Sequence, residues 1–392
     1  MSIDSVPTID LSPFLANTDT NTNTADPDSL KKQKQKCIEQ IADACKNWGF
    51  FYLSNHSHSI STDTIQTFRT NMATFFHLPQ DTLDAIRRTH DNSRGYYDDE
   101  LTKGKLDWKR GFDFGAQDGS LDKRGLDGFN QWPESSSSSS GSGEEDQDIS
   151  NFEKDMRDYF GQMEELSEIL LGLICQSLMI SESSGGLDDD DEFEENNNNG
   201  ALKCHFDGNH TSYLRLNYYP KCPDPSSHLS IHHHTDAGAL TILYQDDDIT
   251  SLQVLKENDN ENENDNENDK QKNGDGGSNG KWHYIPPRKG TFVINIGDMI
   301  QVWSNDRYKA PLHRVQSNAL KERYSAPFFY NPSYSSDVYP LSRSGIGIGI
   351  GIGASASESK YHTVNWGEFR AKRFAGDYAD EGEEIQISHF LK

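Results

Sequence analysis

The order of the sequence patterns limits the possible folds more than any other feature of this chain. Up to about residue 210 the apolar residues recur mainly at helical spacing. From about residue 211 the chain consists of short runs rich in β-branched and aromatic residues: SYLRLNYY, LSIHHHTD, ALTILYQ, SLQVL, WHYIP, TFVINIG, MIQVW and YSAPFFY. Many short strands separated by Gly, Pro, Asn and Asp are typical of a jelly-roll sandwich or barrel. We therefore expect a mixed α/β (α+β) protein with a β core and helices packed outside it.

The first half of the chain predicts several local elements. VPTIDLSPF at 6–14 is typical of an edge strand, residues 29–47 carry apolar residues at helical spacing, and WGFFYLSNH at 48–56 predicts a strand. Ser61 or Thr62 is a good N-cap for a helix that carries apolar residues up to Phe76. The strongest helix signal is the apolar stripe of residues 150–179, which we interpret as core packing.

Four polar or repetitive stretches interrupt this pattern and look inserted. They are Ser135–Ser140 with its acidic tail, the 185–200 acid and asparagine run, the Asn/Glu/Asp repeat of 257–280, and the Gly-Ile repeat of 345–358. The first three are too polar to bury apolar surface, so we expect disordered loops. The glycines of the fourth raise the entropy cost of ordering it, which favours a loop.

These patterns suggest a division of the chain into regions. We expect an N-terminal region of helices and edge strands at 1–130, a Ser/acid-rich insert at 131–148, a long helix at 149–180, an acidic insert at 181–200, a catalytic jelly roll at 201–335 with its insert at 257–280, and a C-terminal extension with a final helix at 336–392.

The charge of the chain limits its partners. The formal net charge is −26, and two tracts contribute −13 of it, since 188–195 holds seven acids and 257–275 holds eight acids against two lysines. So acidic a chain should repel nucleic acid and anionic membrane, and we expect neither as a partner.

The cysteines and the N-terminus bear on location. Five cysteines form an odd set with no CxxC spacing, which indicates reduced thiols. The N-terminal residues lack the basic and apolar regions of a secretory signal, and no apolar run of about 18 residues is present. We therefore expect a cytoplasmic protein without a conventional transmembrane helix.

The run LSIHHHTD contains a candidate metal site. Residues i and i+2 of a strand point to the same face, so His234 and Asp236 can converge on one metal ion. The same alternation puts His232 on their face and turns His233 away. Two histidines and one carboxylate hold non-haem Fe(II) and leave three coordination positions open.

Downstream residues offer a candidate third ligand and a candidate anion site. His313 is followed ten residues later by Arg323-x-Ser325. The arginine offers a bidentate fork for a carboxylate, and the serine hydroxyl lies on the same strand face. A second His-x-Asp, His205-Phe206-Asp207, lacks such a partner set, and we expect no metal role for it.

The surrounding sequence resembles the plant-type, isopenicillin-N-synthase-like branch of the Fe(II)/2-oxoglutarate-dependent dioxygenases. The matching segments include VPTIDLSPF, NWGFFYLSNH, RLNYYPKCP, HTDAGALTILYQD, VINIGDMIQVWSNDRYKAPLHRV, RYSAPFFYNP and WGEFRAKRFAGDY. The resemblance covers nearly the whole chain apart from the four inserts. The gap between Asp236 and His313 is longer than is usual in relatives, and the 257–280 repeat accounts for the excess.

The resemblance implies a function and a set of site residues. It implies an enzyme that uses O₂ and 2-oxoglutarate, with ascorbate as an optional addition, to hydroxylate or desaturate a small-molecule metabolite with release of succinate and CO₂. The implied Fe(II) ligands are His234, Asp236 and His313. The implied 2-oxoglutarate contacts are Arg323, Ser325, Tyr219 and Asn217, and Phe329 is the implied residue of the substrate pocket.

Two other interpretations stay open at the level of sequence. One is an oxidase of the same fold that does not use 2-oxoglutarate, like isopenicillin N synthase or aminocyclopropane-carboxylate oxidase. The other is a non-catalytic metal- or ligand-binding jelly roll whose acidic loops form an interaction surface.

Overall fold

The structure is a computed structural model of the 392-residue chain. It describes residues 5–15, 26–102, 105–116, 128–134, 149–179, 200–206, 210–246, 248–257, 280–341, 359–378 and 385–392. Most of the inserted stretches named above lie outside these residues, so the expectation of disordered loops there stays a prediction.

The helices fall mainly in the first half of the chain. They are α1 (Ser12–Leu15), α2 (Pro27–Asn47), α3 (Thr62–Phe76), α4 (Gln80–Ala85), α5 (Phe152–Met179), α6 (Gly200–Lys203), α7 (Asp298–Trp303) and α8 (Trp366–Tyr378), with a 3-10 helix at Ile387–Phe390. The structure confirms the expected N-cap, because the Ser61 hydroxyl of α3 accepts a hydrogen bond from the Thr64 amide at 3.0 Å. It also confirms the long helix, which here begins at Phe152.

The strands form two main sheets. They are β1 (Thr8–Asp10), β2 (Phe50–Ser54), β3 (Gly95–Tyr97), β4 (Leu101–Thr102), β5 (Lys105–Leu106), β6 (Arg110–Gly115), β7 (Tyr213–Tyr219), β8 (Leu229–His234), β9 (Leu240–Gln245), β10 (Leu252–Glu257), β11 (Gly280–Tyr284), β12 (Phe292–Ile296), β13 (His313–Gln316), β14 (Arg323–Tyr330), β15 (Asp337–Val338) and β16 (Val364–Asn365). The major sheet has the order β1-β2-β12-β9-β14-β7-β6-β3, and the minor sheet has the order β11-β10-β13-β8. Strands from 1–130 and from 201–335 therefore share the major sheet.

The major sheet separates two hydrophobic clusters. One face packs against α2, α3 and α5, where for example the rings of Phe68 and Tyr159 stack at 3.7 Å between centroids. The other face packs against the minor sheet, in a cluster that joins Phe50 and Tyr219 of the major sheet to Val254 and Val315 of the minor sheet. The protein is thus a mixed α/β fold in which helices cover one face of a β-sheet pair. The interior between the two sheets holds the site described below.

One sequence prediction about elements is wrong. MIQVW is not a strand but lies in α7, where Met299, Ile300, Val302 and Trp303 are all buried. A short apolar run with no polar face has no periodicity, so strand and buried helix cannot be told apart. The repeat of 257–280 does connect two strands, since Glu257 at the end of β10 pairs with Gly280 at the start of β11.

No helix in the described part of the chain has both the length and the apolar character that a membrane crossing requires.

Candidate active site

Three side chains with metal-ligating atoms meet between the two sheets. His234 at the end of β8 lies opposite His313 at the start of β13 in the strand ladder. The Nε2 atoms of both histidines lie 3.6 Å from Oδ1 of Asp236, and one potential ligand atom from each residue lies within 4.8 Å of the others. In the residues that the structure describes, this is the one cluster of three or more such groups. The arrangement matches a two-histidine, one-carboxylate metal site.

The backbone fixes which nitrogen of each histidine faces the cluster. Nδ1 of His234 lies 2.8 Å from the His232 carbonyl oxygen, and Nδ1 of His313 lies 3.1 Å from the Pro311 carbonyl oxygen. A carbonyl only accepts, so each Nδ1 carries the proton and each Nε2 keeps its lone pair for a metal. Burial, followed by the neighbouring His313, lowers the pKa of His234 to about 3, which keeps its ring neutral.

Asp236 is held through its other oxygen. Oδ2 accepts hydrogen bonds from the Thr241 hydroxyl at 2.5 Å and from the Asn295 amide at 2.7 Å. Burial raises the pKa of Asp236, but both histidines and these two hydrogen bonds outweigh burial, so the pKa falls below its ordinary value. The carboxylate is therefore ionised, and Oδ1 is left to face the histidines.

The β8 strand does not follow the simple alternation that the sequence predicts. In the ladder, His313 pairs with His234 but Val315 pairs with Ile231, so β8 contains one extra residue at this point. As a result Ile231 and His234 line the pocket, whereas His232 bonds through Nδ1 to the Asp107 carboxylate at 3.0 Å. The expectation that His232 shares the face of His234 is therefore wrong, because a β-bulge shifts the register.

A buried arginine lies in the same pocket on the neighbouring β14. Arg323 is 1% exposed, and its Nε and Nη1 atoms have no hydrogen-bond partner within the described residues. Ser325 lies two residues along, and its hydroxyl is 3.1 Å from the Tyr219 hydroxyl of β7. Asn217 lies opposite Ser325, and its buried Oδ1 likewise has no partner in the described part of the chain. These side chains form a buried, donor-rich end that suits a carboxylate.

The remaining wall of the pocket is aromatic and basic. Phe329 of β14 stacks on Tyr213 of β7 with 4.7 Å between ring centroids, and both rings line the pocket. One face of α8 closes this side with Trp366, Arg370, Arg373 and Phe374. The Arg370 guanidinium lies over the Tyr213 ring, and the described residues place no carboxylate within 4.0 Å of it.

Arg373 connects α8 to the metal site. Its Nη2 donates to the carbonyl oxygen of Thr235, the residue between His234 and Asp236, at 2.9 Å. Its Nη1 lies 3.7 Å from the buried carboxylate of Asp298, and the Asp298 amide donates to the Asp236 carbonyl at 2.8 Å. The wall of the pocket and the ligand loop are therefore tied together.

A buried ion network lies beside the basic wall. The Glu100 carboxylate contacts Lys109 at 2.5 Å, Arg215 at 3.1 Å and Arg88 at 3.3 Å, and Arg215 also pairs with Asp113 at 2.8 Å. Glu100, Lys109 and Arg215 line the pocket. Their charges are largely compensated within the network, unlike that of Arg370.

All eight site residues predicted from the sequence lie on the wall of this one pocket. They are Asn217, Tyr219, His234, Asp236, His313, Arg323, Ser325 and Phe329. Sequence reasoning missed Thr241, Asn295, Arg370 and Arg373, which come from distant elements with no shared spacing. The second His-x-Asp lies elsewhere: His205 packs on Trp303 with ring centroids 5.3 Å apart, and Asp207 is outside the described residues.

Comparison with protein families assigns two parts of the chain. Residues 210–332 match the model of the 2OG-Fe(II) oxygenase superfamily, and residues 6–135 match the model described as non-haem dioxygenase in morphine synthesis N-terminal. Jasmonate-induced oxygenase 2 of Arabidopsis thaliana is 30% identical over 310 residues, which cover 78% of this chain and 67% of that protein. 1-Aminocyclopropane-1-carboxylate oxidase 1 of Cucumis melo is 28% identical over 312 residues, covering 78% of this chain and 77% of that protein.

Solved structures share the fold. JOX2, solved in complex with 2OG, Fe and JA, superposes with a TM-score of 0.66 at 24% identity, over 99% of this chain and 89% of that chain. A full-length protein of Neurospora crassa, solved in complex with alpha-KG and thymine, superposes with a TM-score of 0.67 at 22% identity, over 95% and 97% of the two chains.

Proposed function

Since this chain belongs to the 2OG-Fe(II) oxygenase superfamily, we propose that it hydroxylates or desaturates a small-molecule metabolite at an Fe(II) held by His234, Asp236 and His313. The chain is a 2-oxoglutarate-dependent dioxygenase that takes Fe(II), 2-oxoglutarate and O₂ and releases succinate and CO₂. When bound, the metal and the co-substrate together supply the oxidising chemistry, and the chain positions them.

One observation carries the assignment of residues. A single pocket contains a His-Asp-His cluster with its lone pairs facing inward and a buried guanidinium with two unpartnered nitrogens. A dicarboxylate co-substrate needs both, because one end meets the metal and the other carries a charge that must be paired when buried. We assign the distal carboxylate to Arg323 and Ser325, with Tyr219 bonding to Ser325 and Asn217 near the metal end.

The finer fold and the domain division are part of the same proposal. We infer that the two sheets form a double-stranded β-helix, or jelly roll, because metal ligands and co-substrate residues come from facing strands of both sheets. In this proposal 201–335 is the catalytic region, 1–130 supplies helices and extra strands, and 336–392 supplies the wall formed by α8. In this proposal none of the inserts at 131–148, 181–200 and 257–280 supplies a catalytic residue.

We propose a cytoplasmic location. The support comes from the cysteines, of which Cys37, Cys45, Cys175 and Cys222 are buried free thiols in the structure. Reduced cysteines in an enzyme of this size are typical of a reducing compartment.

We propose that the substrate is a small molecule with an anionic group. Arg370 lines the pocket without a carboxylate partner among the described residues, between the aromatic rings of Tyr213 and Phe374. One relative reported above is named as the oxidase of a carboxylate, which is a substrate of this kind. Phe329, stacked on Tyr213, would contact the apolar part of such a substrate.

The same-fold oxidase that does without 2-oxoglutarate is the alternative. Relatives named as aminocyclopropane-carboxylate oxidases favour it. The buried Arg323 with two free donor nitrogens favours the co-substrate instead, because no carboxylate of the described residues lies within 4.0 Å of it.

The function is tested by anaerobic titration of the Fe(II) protein with 2-oxoglutarate, followed by exposure to O₂. We expect a visible metal-to-ligand charge-transfer band that saturates, and succinate formation that accompanies O₂ uptake. His313→Ala should lose the band, whereas His205→Ala should keep it, because His205 packs on Trp303 away from the cluster. O₂ uptake without succinate would favour the oxidase, and metal binding without either would favour a non-catalytic protein.

A further inference from the structure

Gln245 contacts the buried arginine of the pocket from the neighbouring strand. It lies in β9 directly opposite Ser325 of β14. Its Oε1 accepts a hydrogen bond from Nη2 of Arg323 at 3.1 Å, and Gln245 is only 6% exposed. The bond occupies one of the guanidinium nitrogens and leaves Nε and Nη1 without a partner in the described residues. The guanidinium is thus held through Nη2 by Gln245 and lies 5.0 Å from the ring centroid of Tyr219, while Nε and Nη1 remain available as donors.

The partner of Arg323 is a neutral amide, whereas two other pocket arginines, Arg215 and Arg373, lie beside carboxylates. Arg215 pairs with the Asp113 carboxylate at 2.8 Å, and Arg373 lies 3.7 Å from the Asp298 carboxylate. No carboxylate of the described residues lies within 4.0 Å of Arg323. An amide oxygen fixes the orientation of a guanidinium through a hydrogen bond, as a carboxylate does, but it adds no opposite charge.

We propose that Gln245 is a positioning residue that orients Arg323 toward the distal carboxylate of 2-oxoglutarate while preserving its full positive charge. This inference rests on the function proposed above, in which Arg323 binds that carboxylate. A glutamate at 245 would neutralise the cation before the co-substrate arrives, because buried opposite charges pair strongly. A methionine would keep the volume of the side chain but would leave the guanidinium free to turn.

The distal carboxylate of the co-substrate provides a direct test. 2-Oxopentanoate has the same five-carbon chain as 2-oxoglutarate and the same metal-binding 2-oxo acid, but it lacks the distal carboxylate. The ratio of the two dissociation constants therefore measures what the Arg323 end contributes. A general loss of structure would weaken the binding of both acids alike. A loss of charge or orientation at Arg323 would weaken the binding of 2-oxoglutarate alone.

The experiment compares Gln245→Glu and Gln245→Met with the full-length wild-type protein. Each Fe(II) protein is titrated anaerobically with either acid, and the charge-transfer band reports binding. Gln253→Glu is the matched control, because Gln253 is equally buried and also accepts from an arginine, Arg314, at 2.8 Å. That pair lies on the minor sheet, away from the proposed co-substrate.

We expect the wild-type protein to bind 2-oxoglutarate about 100-fold more tightly than 2-oxopentanoate, as pairing one buried charge allows. In Gln245→Glu the ratio should fall to about 3-fold or less, with 2-oxopentanoate binding almost unchanged. In Gln245→Met the ratio should fall in between, at about 10-fold, since the charge remains but its orientation is lost. Gln253→Glu should keep the wild-type ratio.

Three outcomes would overturn the inference. If Gln245→Glu keeps the wild-type ratio, Gln245 does not set the charge of Arg323. If Gln245→Glu and Gln245→Met weaken the binding of both acids equally, the role of Gln245 is structural. If the wild-type protein does not discriminate between the acids, the assignment of Arg323 in the proposed function fails as well. Should Gln245→Glu not fold, as judged by circular dichroism, an unchanged ratio in Gln245→Met overturns the inference on its own.

Discussion

The two charged side chains Asp236 and Arg323 differ in how many of their polar atoms are already hydrogen-bonded within the described residues. Asp236 faces the histidines with Oδ1 because Thr241 and Asn295 occupy Oδ2. Arg323 is the opposite case, since its Nε and Nη1 have no acceptor among the described residues. The proposed site therefore uses one compensated anion at the metal and one uncompensated cation at the other end. Residue-scale predictions follow from removing such charges one at a time.

Replacing Arg323 with Leu should weaken 2-oxoglutarate binding. The distal carboxylate would be buried without its partner, at a cost on the order of 3–5 kcal/mol. At roughly 1.4 kcal/mol per tenfold, the dissociation constant should rise by two to three orders of magnitude. The anaerobic titration measures it. Arg314→Leu is the control, since Arg314 also bonds to a glutamine but lies outside the pocket. Saturation of Arg323→Leu at the wild-type concentration would refute the assignment.

Glu100 makes stability depend on acid pH. Burial raises its pKa, but Arg215, Lys109 and Arg88 outweigh burial and hold the pKa well below the ordinary value of 4.5. A depressed pKa contributes stability that is present above the ordinary value and is lost as the pH falls through the folded value. Glu100→Gln should therefore lower the unfolding free energy at about pH 7, by an amount on the order of 3 kcal/mol.

The difference between wild type and Glu100→Gln should shrink as the pH falls below 4.5. Urea unfolding of both proteins between about pH 3 and about pH 7 measures the difference. A difference that stays constant over this range would show that the ionised carboxylate is not what stabilises the network.

At the scale of elements, the junction of β12 and α7 supports the loop between β8 and β9, which carries Asp236. The Gly297 amide donates to Ala239, and the amides of Asp298 and Met299 donate to Asp236 and Gly238. The approach is close: a Cβ on Gly297 would lie 2.3 Å from the Gly238 carbonyl oxygen and 2.8 Å from that of Asp236. No side chain fits at this position without moving the loop that carries a proposed metal ligand.

Gly297→Ala should therefore weaken metal binding, by about tenfold or more, because the methyl group displaces the backbone of Asp236. Titration with Co(II), followed by its visible absorption, measures the affinity without turnover. Gly161→Ala in α5 is the control, since a Cβ there meets nothing within 4 Å. That change should leave the affinity intact and stabilise the helix by about 0.5–1 kcal/mol. Equal metal affinity in both variants would contradict the role given to Gly297.

Sequence patterns predicted most of the elements, and the exceptions have physical causes. Short runs rich in β-branched and aromatic residues identified β7, β9 and β14. The same signal marked MIQVW as a strand, although it lies in α7, where Met299, Ile300, Val302 and Trp303 are buried. Simple alternation assigned His232 to the wrong face, since nothing in LSIHHHTD marks the bulge that puts Ile231 in the pocket. Gln245 carried a signal that was available: a polar residue at the end of the apolar run ALTILY.

At the scale of the whole molecule, the pocket is assembled from distant parts of the chain. Its wall includes Phe50 near the start, Asn217 and His313 in the middle, and Phe374 near the end. Contacts of such long sequence separation cannot be read from local spacing, which explains why Asn295 and Arg373 were not predicted. The cluster of His234, Asp236 and His313 was predicted because its residue types and the surrounding motifs are distinctive.

The acidic insertion between β10 and β11 should be dispensable. Glu257 and Gly280 pair across the hairpin, so a two-residue Asn-Gly turn can replace residues 258–279. The replacement removes a net charge of −5, since the segment holds seven acids and two lysines. We expect succinate formation and the thermal midpoint to remain close to those of the wild type. Loss of 2-oxoglutarate turnover in a folded variant would show that the insertion serves the site.

The position of α8 has a consequence for how the enzyme is made. A ribosome delivers His234, Asp236, His313 and Arg323 before it delivers Trp366 and Arg370. The residues proposed to bind iron and 2-oxoglutarate thus leave the ribosome before the helix that walls the pocket and reaches the loop between two of the ligands. A message cut short before α8, or a protease acting there, would yield the proposed metal and co-substrate residues without the wall that α8 forms. Of the α-helices that the structure describes, the last to leave the ribosome is therefore the one that completes the pocket.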